Sequence, residues 1–132
     1  MTLTKTQRAA LKDRFGGRCA YCGCVLGDRW HADHMHPVER KLKFHPTKGA
    51  VATSELWHPE NDTIENMMPS CAPCNIDKHS LTLETWRSKL QRATDVLTKN
   101  NPTYRHALRF GLLAETGIKV VFYFEVKKGS AA

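Results

Sequence analysis

Apolar positions along this chain change period several times, and each change marks an element. Over residues 4–15, Ala10, Leu11 and Phe15 fall near one face of a helix, Thr4 stands where an N-cap is needed, and Gly16-Gly17 supplies a stop. A helix is expected there. Residues 29–36 suit a short strand closed by Pro37, and residues 63–69 a second strand. The stretch between them, from Val38 to about Asp62, is rich in Pro, Gly, Thr and charge, and reads as a long loop. The two strands and a helix starting near Asn75 make a β-β-α order. From Thr82 the period becomes helical again, with Leu83, Trp86, Leu90, Ala93 and Leu97 forming a stripe read as core. Asn100-Asn101-Pro102 breaks it, Tyr104 to Glu115 predicts a further helix ending near Gly117, and Val120-Val-Phe-Tyr-Phe124 predicts a strand. Trp30, Trp57 and Trp86 are all expected to be packing residues. There is no internal repeat.

The 132 residues fit one domain over 1–128, with a core at about 18–80, a helical and strand extension over 81–126, and a tail at 129–132, Gly129-Ser-Ala-Ala132, that resembles a cloning scar. No stretch approaches the roughly 20 apolar residues of a membrane span. Lys5, Arg8, Lys12 and Arg14 interrupt any leader-like apolar run. A soluble protein of a reducing cytoplasm is the expectation, rather than a secreted disulfide scaffold.

The net charge of +7 is unevenly placed. Residues 1–50 carry ten Lys/Arg against four acids, residues 51–77 carry five acids and no Lys/Arg, and residues 78–132 again carry ten against four. Basic flanks around an acidic middle suit a polyanionic partner. Within the loop, Arg40, Lys41 and Lys43, with His45 and Lys48 nearby, are expected to face phosphate. Lys78 is grouped with them as a candidate nucleic-acid contact.

Four of the five cysteines form two Cys-x-x-Cys knuckles, Arg18-Cys-Ala-Tyr-Cys-Gly23 and Ser70-Cys-Ala-Pro-Cys-Asn75. Knuckles of this spacing converge on one tetrahedral Zn²⁺, here through Cys19, Cys22, Cys71 and Cys74. Cys24 reads as a spare thiol, with competition for the zinc as the alternative. Between the knuckles stands Asp33-His34. Adjacent strand residues point to opposite faces, so these two can serve one site only where the strand ends or bends. If the second knuckle opens a helix, Asn75 and His79 lie one turn apart on one face. A carboxylate, a carboxamide oxygen and an imidazole could then bind a divalent cation and leave His34 as a free base, the equipment for phosphodiester hydrolysis.

Asp33-His34-Met-His-Pro37, then Asn66-Met-Met-Pro-Ser-Cys71, then Cys74-Asn75-x-x-Lys78 together resemble the HNH endonuclease family, in its form with a four-cysteine zinc site. The resemblance spans about residues 18–79. It implies an α+β fold with a ββα-metal (His-Me finger) core, a zinc-knuckle clamp and flanking helices. It implies His34 as general base, Asp33 and Asn75 as ligands of a catalytic Mg²⁺ or Mn²⁺, and Asn66 as a brace of the loop presenting His34. Asn75 stands where the final His of the family name would be, as in the Asn-ending branch, and His79 matches the position of another metal-binding His in colicin-type nucleases. DNA is the implied substrate, cut to 5′-phosphate and 3′-hydroxyl ends, with specificity low or supplied by a protein partner. The alternative is a zinc-stabilised nucleic-acid-binding or partner-binding module without catalysis.

Overall fold

The computed structural model describes residues 1–126; the tail expected at 129–132 lies outside them. The fold is mixed α and β, with two small antiparallel sheets and a four-cysteine cluster. The described residues fall into two compact units, one of Met1–Leu83 with residues 122–126, the other Glu84–Val121.

The first unit begins with α1 (Lys5–Arg14). Thr4 caps it through a reciprocal pair, its hydroxyl accepting from the Gln7 amide and the Gln7 side chain accepting from the Thr4 amide. Leu11 and Phe15 are buried, but Ala10, expected on the same face, is exposed. The chain then forms the first knuckle. The amide of Cys19 donates to the carbonyl of Cys24, that of Gly23 to Cys19, and that of Leu26 to Gly17, closing a tight turn. Gly23 has φ of 80°, and a Cβ there would come within 3.1 Å of the Tyr123 ring, so both backbone and packing require glycine.

Strand β1 (His31–His34) is shorter than expected and pairs antiparallel with the strand Met67–Ser70, in the register His31↔Ser70 to His34↔Met67. Between them the expected loop is instead a hairpin, β2 (Arg40–His45) and β3 (Gly49–Leu56), which makes Met67–Ser70 strand β4. An isolated two-stranded hairpin is marginal. This one is tied at its base, where the amides of Trp57 and His58 donate to the carbonyls of Glu39 and Val38. Two single 3₁₀ turns, Pro59–Asn61 and Ile64–Asn66, return the chain to β4, so the second expected strand is replaced over 64–66. All four residues of β4 are buried. Helix α2 (Ala72–Lys78) follows at once, giving two paired strands and a helix in succession.

The second unit holds α3 (Leu83–Gln91) from its second residue on, α4 (Ala93–Asn100) and α5 (Pro102–Arg109). The expected long helix is broken at Arg92, where φ −90° and ψ 0° leave the helical range. The stripe read as core is buried only at Trp86; Ala93 and Leu97 are exposed. Asn101 caps α5 by accepting from the Tyr104 amide, with Pro102 at its first turn. The helix ends well before the expected Gly117, because Gly111, with φ of 72°, stops it just after Phe110.

No strand forms over 120–124. Phe122 is buried edge-on to Tyr21, with ring centroids 5.8 Å apart. The amides of Tyr123 and Phe124 donate to the carbonyls of Tyr21 and Ala20, and the chain then turns on the Phe122 carbonyl. The apolar run reflects one buried ring and a short docking onto the first knuckle. Among the described residues, no helix is long and apolar enough to cross a membrane.

Candidate metal clamp and hydrolytic site

The Sγ atoms of Cys19, Cys22, Cys71 and Cys74 all lie within 4.8 Å of one another, and those of Cys22 and Cys71 are 3.8 Å apart. Four sulfurs each about 2.3 Å from a shared tetrahedral zinc would stand about 3.8 Å apart, so the cluster could hold a metal ion such as zinc. None of the five cysteines is in a disulfide. A hydrogen bond from Cys74 holds the Cys19 thiol down to about 4 against its burial, while the same bond pushes Cys74 up. The sulfurs thus share protons that a dication would displace. Cys24 is outside the cluster; burial and its neighbours Cys22 and Cys71 push its thiol up to about 12.

Each knuckle also sends one side chain to the same carboxylate. Tyr21, inside the first knuckle, donates its hydroxyl to Oδ2 of Asp33 at 2.5 Å. Lys78, at the end of the helix that carries the second, pairs with that oxygen at 3.1 Å. Burial and the charge of Asp33 push the Tyr21 phenol up, so it keeps its proton and remains a donor. Lys78 also donates to the carbonyl of His34 at 2.8 Å and is 0% exposed. It was expected at phosphate; its ammonium is instead spent inside the protein, where it neutralises Asp33. The polar contacts of Asp33 all fall on Oδ2, which leaves Oδ1 free of hydrogen bonds among the described residues.

His34 is the last residue of β1, so the strand ends where Asp33 and His34 must turn toward one site. Asp33, His34 and His79 line one open groove, whose far wall includes Arg40, Leu42 and Trp57 of the hairpin segment. His34 and Asn75 line a second depression with Arg8, Trp30 and Met67. His34 is common to both, whereas Asn75 is not on the groove that holds Asp33. The expected helical face shared by Asn75 and His79 does not form, because α2 stops at Lys78 and His79 takes φ of 49° and ψ of −130°. His79 is exposed, with Nδ1 3.0 Å from the Ser80 hydroxyl. The Asn75 carboxamide makes no hydrogen bond among the described residues.

Two residues here were not singled out in the sequence. Asp62 places Oδ1 2.9 Å from Nε2 of His34, and its other partner is the Met1 amino group. Those bonds, His34 first, hold its carboxyl below the usual range, so it is an anion that can only accept. Nε2 must therefore carry the proton, and in the neutral ring the lone pair is on Nδ1. Nothing in the spacing separates Asp62 from Glu60 or Glu65. Tyr21 is likewise one of two ordinary residues inside a knuckle.

Asn66 is buried and its side chain and backbone tie the turn after His34. Its Oδ1 accepts from the His36 amide, its Nδ2 donates to the carbonyls of His36 and Asn61, and its carbonyl accepts from Met35. Arg40, Lys41 and Lys43 lie on β2; Lys41 is 3.5 Å from Glu55 and Lys43 is exposed. Trp30 and Trp86 are buried as expected, but Trp57 is 61% exposed and is not a packing residue.

The chain is similar to the protein named "SPbeta prophage-derived putative HNH endonuclease YoqL" of Bacillus subtilis (strain 168), with 30% identity over 89 residues, 64% of this chain and 33% of that protein. The chain thus spans about a third of the length of this relative. No protein-family model matches the chain. No solved structure matches it either.

Elemental analysis after removal of loosely held metal is expected to return one zinc per chain. Cys71→Ser is expected to lose it together with cooperative unfolding, while Cys24→Ser keeps both. A Cys71→Ser protein with full zinc and native melting would contradict the clamp. Lys78→Ala leaves Asp33 charged in a buried place, so urea unfolding at saturating zinc should show a loss of about 3–5 kcal/mol. An unchanged midpoint with weakened DNA binding would return Lys78 to the phosphate-contacting role.

Proposed function

We propose that this chain is a metal-dependent HNH-type endonuclease that hydrolyses phosphodiester bonds of DNA, with His34 as general base. The observation that carries the reading is the state of His34. It ends a strand beside a buried Asp, donates Nε2–H to Asp62, and keeps the lone pair of Nδ1 available. The succession of paired strands β1 and β4 with α2 supports a ββα-metal core, and the name of the prophage relative points the same way.

In this reading Nδ1 of His34 takes a proton from water as the water oxygen bonds to phosphorus, the bond from phosphorus to the 3′ oxygen breaks, and that oxygen takes a proton from solvent. The products are a 5′-phosphate and a 3′-hydroxyl. Asp62 offsets the positive charge that the imidazole gains. Asn66 holds residues 35 and 36, and so the exit of the strand that presents His34. Oδ1 of Asp33 and His79, which line one groove, would hold a divalent cation, Mg²⁺ or Mn²⁺, which would supply charge stabilisation at the phosphate and the leaving oxygen; the Asn75 carboxamide, on the neighbouring depression across His34, is the third expected ligand. The donors fit that role chemically, since Oδ1 and the Asn75 carboxamide make no other hydrogen bonds among the described residues. Zinc in the cysteine cluster would serve structure only.

One observation favours the second reading, a zinc-stabilised binding module. Asp33 is already neutralised by Lys78 and needs no cation to be tolerated in its buried place. Nicking of supercoiled plasmid with Mg²⁺ or Mn²⁺ separates the two. His34→Ala is expected to slow nicking by about 10²-fold or more with folding and DNA binding retained, and Asp62→Asn to fall between it and the native chain. Equal rates for His34→Ala and native protein, or no nicking by either, would leave the binding module.

A further inference from the structure

The hairpin displays aromatic and apolar side chains where the first unit has no core for them. Trp57 is 61% exposed, Leu42 67% and Phe44 77%. Trp57 and Leu42 line the groove of about 660 Å³ that also holds Asp33 and His34, so this surface faces the candidate site. The backbone of Trp57 is fixed, because its amide is bonded to the Glu39 carbonyl at the hairpin base. The ammonium of Lys41 sits 4.9 Å from the centroid of its ring.

Two occupants suit exposed aromatics, another protein or the bases of a nucleic acid. The charge pattern decides between them. Along β2 the residues Arg40, Leu42 and Phe44 alternate with Lys41, Lys43 and His45, so Leu42 is flanked by two lysines in sequence and Phe44 by Lys43. Over residues 38–57 the acids are only Glu39 and Glu55, against Arg40, Lys41, Lys43 and Lys48. Lys41 is paired with Glu55, whereas the contact of Arg40, to the Thr53 carbonyl, is long at 3.5 Å. Cations interleaved with flat apolar faces match a strand that offers phosphates and bases together. A base within a duplex has both faces covered by its neighbours, so only an unpaired or displaced base can present one to Trp57.

We propose that this groove binds a single-stranded segment of nucleic acid, with one unstacked base against the Trp57 ring and a flanking phosphate at Arg40. The placing of that segment over the bond to be cut rests on the nuclease reading of His34; the binding itself does not. The chain would then prefer substrates with unpaired or branched regions over continuous duplex.

The test is binding in chelator-treated buffer that leaves the cysteine-bound zinc in place and supplies no free divalent cation. Trp30 and Trp86 are buried, so the solvent-exposed tryptophan emission is that of Trp57. An oligothymidylate of about twelve nucleotides is expected to quench this emission, and Trp57→Ala, read by anisotropy of a labelled strand, to weaken its binding by about tenfold or more. Binding of a hairpin-closed duplex of similar length should change less than about twofold, because phosphate contacts dominate there. Equal affinity of the native and Trp57→Ala chains for the single strand would overturn the proposal, as would equal losses for strand and duplex. Self-association abolished by Phe44→Asp, with no quenching by the oligonucleotide, would make the patch a protein interface and also overturn it. A chain that binds the strand through Trp57 but nicks no plasmid keeps this inference and loses the nuclease reading. A chain that nicks plasmid and binds strands regardless of Trp57 does the opposite.

Discussion

Oδ2 of Asp33 is the point on which the first unit is organised. Two knuckles far apart in sequence meet in the four-cysteine cluster, and each contributes a side chain, Tyr21 or Lys78, to that one oxygen. The carboxylate is buried, so its charge needs both partners. Because Lys78 also holds the carbonyl of His34, the same ammonium sets the position of the strand end that presents the imidazole. The cysteine cluster is therefore linked to the strand end in two steps, from sulfur to knuckle and from knuckle to Asp33 and His34.

That arrangement explains how the chain tolerates an inserted hairpin between β1 and β4. Closing a longer loop adds little entropic cost when its ends are already fixed. Here they are fixed by the strand pairing, by Asn66 bridging residues 36 and 61, and by the backbone bonds at the hairpin base. The insertion is thus free to carry exposed side chains that a core element could not.

The cysteine cluster was legible in the sequence because ligand spacing in a knuckle is a local property, and α1 was legible because its capping box is local too. The β-β-α succession could be read from Pro37, the second knuckle and the polarity changes around them. The hairpin was not, although Leu42 and Phe44 alternate with charge and Gly49 closes its turn; the density of Pro, Thr and Lys outweighed a period of two over six residues. The apolar run at 120–124 carried the signature of a strand and became a docking segment, since burial of Phe122 against Tyr21 depends on tertiary contact. Asp62 and the internal role of Lys78 were illegible for the same reason. Each is defined by a partner 28 or 44 residues away, and neither lies in a spacing that local geometry requires.

The central proposal is that the cysteine cluster and the candidate site at Asp33 and His34 are two separate metal sites joined through Asp33. Anomalous diffraction at the zinc and manganese edges, from crystals grown with Mn²⁺, tests it most directly. The account predicts a zinc peak among the sulfurs of Cys19, Cys22, Cys71 and Cys74, and a distinct manganese peak at Asp33 beside His34. Zinc density in the cluster with no manganese at Asp33 at saturating concentration, the carboxylate remaining bound to Tyr21 and Lys78 alone, would contradict it.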